Sequence, residues 1–444
     1  MSLKRFLALF SVLMLILSFS VPASADNALP KELTDNNVKT RLTINNPVQI
    51  YDTEAKFIYI TFYDEPCDFI LGNDSDQLSH KFEGKFLQRL AEIPKELQGT
   101  PFSIKFTKAA TISELAVYST LPTDNSVHAW EDNGSVCDLM LLSTHADDEQ
   151  LFFAGVLPLY ATNKDCETQV VYFTDHNANV IRRHELLNGL WTVGVTRYPV
   201  ISDFPDAYST SYSGALGNLK KAGFSENDAL GFQVEQIRRF KPQVILGHDL
   251  KGEYGHGQHI LNATLLTRAV EASADPKQFT DSAEKYGVHD TPKLYLHLYK
   301  ENEIVLDLDT PIESTGKTPF QLSQLGFACH KTQQGYWFND WINGKNGEIN
   351  KASQIEKYSP CRFGLYRTTV GADVLKNDLF ENVTMRSHLP KPKPDTVPEP
   401  TPEPTPDSAN PSINTNHITI AVLSAAIVGV IGIFVKLKRN NTSK

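Results

Sequence analysis

CDLMLLSTHADDEQLFFAG, residues 137–155, decides the fold class. Its first eight residues are an apolar run of strand length, the pattern of a strand buried on both faces. EQLFFAGVLPLYATN (149–163) then predicts a helix of about three turns. Between strand and helix stand His145 and three successive carboxylates, Asp147, Asp148 and Glu149. Charges that dense beside an apolar stretch cost stability unless something neutralises them, and a metal ion is the usual neutraliser.

The same alternation continues downstream. TQVVYFT (168–174) and QVILGHD (243–249) read as buried strands. IRRHELLNGLWTVGV (181–195), SENDALGFQVEQIRRFKP (225–242, capped by Ser225) and GQHILNATLLTRAVEAS (257–273) read as helices. Alternating β and α with continuously apolar strands predicts an α/β fold, a Rossmann-like, mostly parallel sheet with helices on both faces. In such sheets sites form at the carboxyl ends of the strands. HADDE (145–149) and GEYGHGQH (252–259), which carries His256 and His259, both fall there. Separately, an HxxH pair is often a surface or capping pair, and acids before a helix can simply favour its dipole. At one sheet edge together, two imidazoles and a carboxylate with open positions suit a hydrolytic Zn²⁺.

Residues 26–135 have a different texture. KFIYITFY (56–63), PFSIKF (101–106) and ISELAVYST (112–120) are short and rich in β-branched and aromatic residues, predicting a small all-β, sandwich-like domain ahead of the α/β domain at 136–388. Residues 1–25 have the Lys-Arg start, apolar run and ASA end of a signal peptide. A Pro-rich stretch at 389–417 predicts an extended spacer. Residues 418–435 form an uncharged apolar run of bilayer length, and 436–444 a basic tail. The expectation is an exported protein held by one C-terminal membrane helix, with its catalytic domain outside. Spacer, apolar run and tail resemble cell-surface proteins of Gram-positive bacteria. The formal net charge of −10 leaves no basic patch to grip phosphates, so no nucleic-acid partner is expected. Five cysteines without CxxC spacing keep thiolate chemistry out of the picture; Cys329 and Cys361 are one conceivable disulfide.

STHADDEQLFFAG followed about a hundred residues later by GEYGHGQH resembles the PIG-L/LmbE-like zinc de-N-acetylases, whose motifs are HPDDE and HxxH. IRRHELLNGLWTVGV is similar to that family's RxxE helix, DFPD (203–206) to its FPD loop, and GKTPFQLSQLGFACHKTQ (316–333) to its late HxxQ segment. The resemblance implies His145, Asp148 and His259 as zinc ligands, Asp147 as general base, and His256 as the group that stabilises the oxyanion, as an imidazolium, and helps protonate the leaving amine. It implies substrate contact for Arg182; Asp206 and His330 match family positions without a defined role. Ala146 stands where the family has Pro, and Gly257-Gln258 where it often has Pro-Asp.

The chemistry follows from those residue types. Zinc lowers the pKa of water and polarises a carbonyl, a neighbouring carboxylate takes the water's proton, and an imidazole stabilises the developing charge. The implied activity is removal of the N-acetyl group from a GlcNAc-type amino sugar in an extracytoplasmic glycan or glycoconjugate. Two other classes share these features: a cell-surface carbohydrate-binding protein with an inactive fold, and a metal-dependent esterase or amidase on another substrate. The oligomeric state is not encoded in any of these patterns.

Overall fold

The structure, a computed structural model, describes residues 29–73, 78–176 and 179–388. Eight short strands come first: β1 (Leu42–Ile44), β2 (Val48–Ile50), β3 (Phe57–Phe62), β4 (Phe69–Gly72), β5 (Ser79–Phe82), β6 (Gln88–Glu92), β7 (Phe102–Phe106) and β8 (Ala110–Tyr118). They form two antiparallel sheets, in the orders β1-β8-β3-β6 and β2-β7-β4-β5. The sheets meet through apolar side chains: Phe62 of β3 packs edge-on against Phe106 of β7 at 6.0 Å. Burying one face of each sheet against the other is what lets such short strands persist.

The second half is α/β. Strands β9 (Leu139–Ser143), β10 (Thr168–Tyr172), β11 (Val200–Ile201), β12 (Val244–Gly247), β13 (Lys293–His297), β14 (Glu303–Val305) and β15 (Arg362–Thr368) form one sheet, ordered β11-β10-β9-β12-β13-β15-β14. Its first five members are parallel, and β15 runs antiparallel to both neighbours. Successive residues of β9 enter different cores. Leu139 and Leu141 join the cluster that holds Leu186, Leu190 and Phe327, while Met140 and Leu142 join the one that holds Leu219, Val234 and Leu265. Both faces are therefore covered, which is why these strands lack polar alternation.

The helices are α1 (Asp148–Leu151), α2 (Val180–Thr192), α3 (Tyr212–Lys221), α4 (Glu226–Phe240), α5 (Gly257–Ala274), α6 (Thr280–Tyr286), α7 (Pro319–Ala328) and α8 (Trp337–Asn343). Helix α4 starts at the predicted Ser225, whose hydroxyl accepts from Asp228 N–H while the Asp228 carboxylate accepts from Ser225 N–H, a capping box. The helix expected over 149–163 is broken. It stops after Leu151, and Gly155 turns at φ +84° with Leu308 packed 3.2 Å from where a Cβ would sit. Pro158 then opens a separate turn. Local apolar pattern favoured a continuous helix; the left-handed backbone of Gly155 interrupts it, at a point where a side chain would meet Leu308.

Helix α2 carries the β sheets. Gln88 Oε1 accepts from Trp130 Nε1 at 2.9 Å and His128 Nδ1 at 2.7 Å, and Gln88 Nε2 donates to Asn188 Oδ1 at 2.8 Å. His184 Nε2 donates to Tyr63 O at 2.8 Å, and the rings of Phe86 and Tyr198 stack at 4.7 Å.

The expected localisation needs correction. Among the described residues no helix is long and apolar enough to cross a membrane, so the reading of an exported, membrane-anchored chain is set aside. The proposed signal peptide (1–25), spacer (389–417), apolar run (418–435) and tail lie outside the described residues. Cys329 and Cys361 are not bonded to each other: all five cysteines are free thiols.

Candidate metal centre

The loop after β9 and the start of α5 bring three lone-pair atoms together. His145 Nδ1, Asp148 Oδ2 and His259 Nε2 lie 3.1 Å from one another in all three pairs. A tetrahedral ion with bonds of about 2.0–2.1 Å spaces its ligand atoms by roughly 3.3 Å, so the triangle fits after a shift of a few tenths of an ångström. All three residues are buried.

Hydrogen bonds on the far side of each ring fix which nitrogen faces inward. His259 Nδ1 donates to Glu253 Oε2 at 2.7 Å, which turns Nε2 toward His145 and Asp148. His145 Nε2 donates to Gln258 Oε1 at 3.1 Å, which turns Nδ1 toward Asp148 and His259. Second partners of this kind set the tautomer of a metal-binding histidine. Two other histidines complete alternative donor groups, His256 with His145 and His259, and His248 with Asp148 and His259. His248 Nε2, however, already accepts from Thr144 N–H at 3.0 Å, while its Nδ1 donates to Glu253 at 2.8 Å.

The electrostatics suit a cation. Burial opposes a proton on His259, but Asp148 and Glu253 outweigh it and push the ring up to about 10. His145 is raised as well, burial again being overcome by Asp148. Burial would lift Asp148, yet His259 and His145 hold it well below the usual carboxylate range. A divalent ion would replace those protons in the same negative field.

His256 differs from expectation. Burial, then His145 and His259, push it down to about 2, so the ring is neutral rather than an imidazolium. Its Nδ1 accepts from Gln258 N–H at 3.3 Å, which places the hydrogen on Nε2. A neutral N–H remains a usable oxyanion donor.

Asp147 has φ +126° and ψ −28°, a disfavoured backbone for any side chain. The peptides around it are clamped. Ala146 N–H donates to His176 Nε2 at 3.1 Å, Ala146 O accepts from Arg182 Nη2 at 2.8 Å, and Asp147 N–H donates to Glu149 Oε2 at 2.9 Å. Glu149 Oε1 in turn accepts from His330 Nε2 at 3.0 Å. Alanine at 146 thus supplies an N–H that proline lacks, and the loop uses it. Burial first, then Asp148 and Glu149, raise the Asp147 carboxyl to about 7 against the pull of Arg182 and His330.

Arg182 lies beside this loop but its guanidinium is already engaged, with Asp206 Oδ2 at 2.7 Å and Ala146 O. Asp206 sits 3.7 Å from His145 Nε2 and 3.6 Å from His176 Nδ1. Burial would raise its carboxyl, but His176, His145 and Arg182 hold it below the usual range.

Sequence reading passed over the supporting residues. Glu253 accepts from three imidazoles, His248, His259 and His297, and from Asp249 N–H. Its loop is tight: a Cβ on Gly252, at φ +66°, would lie 2.5 Å from His256 O. Gln258, a departure from the family motif, anchors His145, Ala207 N–H and Pro205 O at once. Tyr254 lays its ring 5.5 Å from His256 and 5.6 Å from His259. The acid and tyrosine were visible in GEYGHGQH; only the fold says what they touch.

Residues 140–270 match the family model of PIG-L, the GlcNAc-PI de-N-acetylases. Among curated proteins, a 1D-myo-inositol 2-acetamido-2-deoxy-alpha-D-glucopyranoside deacetylase of Catenulispora acidiphila is 26% identical over 178 residues, 35% of this chain and 54% of that protein. The enzyme of the same name from Streptomyces scabiei is 24% identical over 208 residues, 41% and 63% of the two chains. The chain spans about half the length of the first of these relatives. The solved N,N'-diacetylchitobiose deacetylase of Pyrococcus horikoshii aligns with a TM-score of 0.35 and 14% identity over 48% of this chain and 80% of that one.

Proposed function

We propose, from the PIG-L family membership of residues 140–270, that this chain is a zinc-dependent hydrolase that removes the N-acetyl group from a GlcNAc-type amino sugar. The observation that carries the reading is the triangle of inward-facing donor atoms, His145 Nδ1, Asp148 Oδ2 and His259 Nε2, at 3.1 Å spacing with each ring held from behind by Gln258 or Glu253. These three residues would hold the ion. When bound, it supplies Lewis acidity toward the amide carbonyl and acidifies water.

The remaining work falls to the chain's own groups. Asp147, raised toward neutrality, takes a proton from the attacking water and can later return it. Its disfavoured backbone is clamped by His176, Arg182 and Glu149, and its carboxylate lies 3.8 Å from Arg182 Nη2. His256, neutral and bearing its hydrogen on Nε2, donates to the oxyanion that forms as the carbonyl is attacked. Arg182 holds the Asp147 loop and Asp206, which makes it a positioning group first.

The test uses the full chain. Free amine released from N-acetylglucosamine and its oligomers is measured as isolated, after chelation and after zinc is restored, with O-acetyl sugars alongside. Activity that disappears with chelation and returns with zinc, on N-acetyl substrates only, is the expected result. Turnover that survives exhaustive chelation, or that is confined to O-acetyl sugars, overturns the reading.

A further inference from the structure

Resting on that reading, we infer that the mouth of the centre binds a second sugar ring, so that the substrate is an N-acetylated residue within an oligosaccharide rather than a free monosaccharide. Two exposed aromatic rings are linked to His256, one directly and one through Tyr254. Tyr208 is 70% exposed, and its ring meets His256 edge-on at 5.1 Å. Trp337, at the start of α8, is 45% exposed and lies edge-on to Tyr254 at 5.6 Å. Tyr254 itself touches the rings of both His256 and His259. Trp337 is the one tryptophan among the described residues that is exposed.

Single exposed apolar side chains need no explanation. These two are continuous with a polar, buried reaction centre, and Trp337 is braced. Phe338 lies 4.4 Å and Trp341 6.2 Å from its ring, and Trp341 Nε1 is fixed to Lys357 O at 3.1 Å. A rigid, half-exposed indole is a platform rather than a loose side chain. One face of a pyranose ring presents C–H bonds of slight positive charge, which the negative face of an aromatic ring attracts. With the acetamido group at the donor triangle, the nearest exposed aromatic surface for the rings attached to it is Tyr208, one ring contact from His256, and Trp337, joined to His256 through Tyr254. Few polar groups aimed at the reacting atoms with aromatic surface around them is the usual composition of a small-molecule site. Contact with a non-reacting ring can raise turnover as well as affinity, because that contact is available to the transition state.

The probes are N-acetylglucosamine and its β-1,4-linked tetramer, on the full chain. Calorimetric binding is measured in the Asp147→Asn background, with and without Trp337→Ala or Trp337→Phe. Turnover is measured for the same Trp337 variants with Asp147 intact. The expected result is a tetramer at least tenfold tighter and faster than the monomer. Trp337→Ala should abolish that advantage while leaving the monomer within about twofold, and Trp337→Phe should keep most of it. Equal binding of monomer and tetramer overturns the subsite even if deacetylation is found, as does a Trp337→Ala loss that is the same for both lengths. Length-dependent, Trp337-dependent binding without release of amine upholds the sugar subsite and overturns the reaction reading instead. Absence of both binding and turnover overturns the two together.

Discussion

Glu253 Oε2 accepts a hydrogen bond from His259 Nδ1 at 2.7 Å, and the same oxygen accepts from His248 Nδ1 at 2.8 Å. One buried carboxylate thereby turns the Nε2 lone pair of His259 toward His145 and Asp148. Glu253→Gln keeps the size but presents an NH₂ either to His248 and His259 together or to His297 and the Asp249 N–H, so at least one ring must turn or lose its partner. Zinc affinity, measured by competition with a chromophoric chelator, should fall about 10–100-fold. Unchanged affinity would mean that the orientation of His259 does not depend on Glu253.

Gln258 does for His145 what Glu253 does for His259, at 3.1 Å. Gln258→Ala removes that acceptor and also the bonds to Ala207 N–H and Pro205 O. The expected effect is a zinc affinity lower by about tenfold or more, with Gln258→Asp, the residue usual in the family motif, recovering part of it. A variant that binds zinc as the parent does would show that packing alone holds His145.

Asp147→Asn should bind zinc normally and lose about 10²–10⁴-fold in turnover, the range for removing a general base. The carboxyl, raised to about 7 by burial and by its acidic neighbours, acts only when deprotonated. Rate should therefore climb tenfold per pH unit on the acid side and level off no higher than about pH 7, since a nearby cation would pull the inflection down. A flat acid limb in the parent, or equal turnover in the variant, removes Asp147 from the role.

Stability should weaken on mild acidification at the junction of the β sheets with α2. Burial lowers both His128 and His184 from 6.5 to about 4. Between those values the unfolded chain takes up protons that the folded rings refuse, so stability falls as pH falls from about 6.5 to 4 and then levels off for these groups. At about 1.4 kcal/mol per pKa unit the loss reaches about 3 kcal/mol for each ring. Arg183 disfavours and Asp64 favours a proton on His184, both weakly beside burial. Thermal melts of His184→Gln against the parent over this range should show a shallower decline; parallel curves would exclude His184 as a source.

Much of the α/β half could be read from local pattern. Strands β9, β10 and β12 and helices α2, α4 and α5 appear where apolar runs, caps and breakers place them, because those signals act over a few residues. HADDE and HxxH carry enough specificity to indicate the de-N-acetylase family whose model residues 140–270 match. Within 149–163 Gly155 interrupts the expected helix, but that Leu308, from far along the chain, packs against that glycine cannot be read from the stretch itself. Likewise the charge on His256 could not be read from its motif, since it is burial among His145 and His259 that keeps the ring neutral.

The sequence by itself determined which residues are chemically able to bind a metal and the alternating βα order that delivers them to one sheet edge. Tertiary structure decided which of His145, His248, His256 and His259 turn a nitrogen toward that point. That choice depends on what occupies the other nitrogen of each ring, and the occupants do not follow from the motif spacing: Gln258 for His145, Thr144 and Glu253 for His248. Hydrogen-bond direction is a property of assembled neighbours, some more than a hundred residues apart, whereas apolar periodicity is a property of the chain alone.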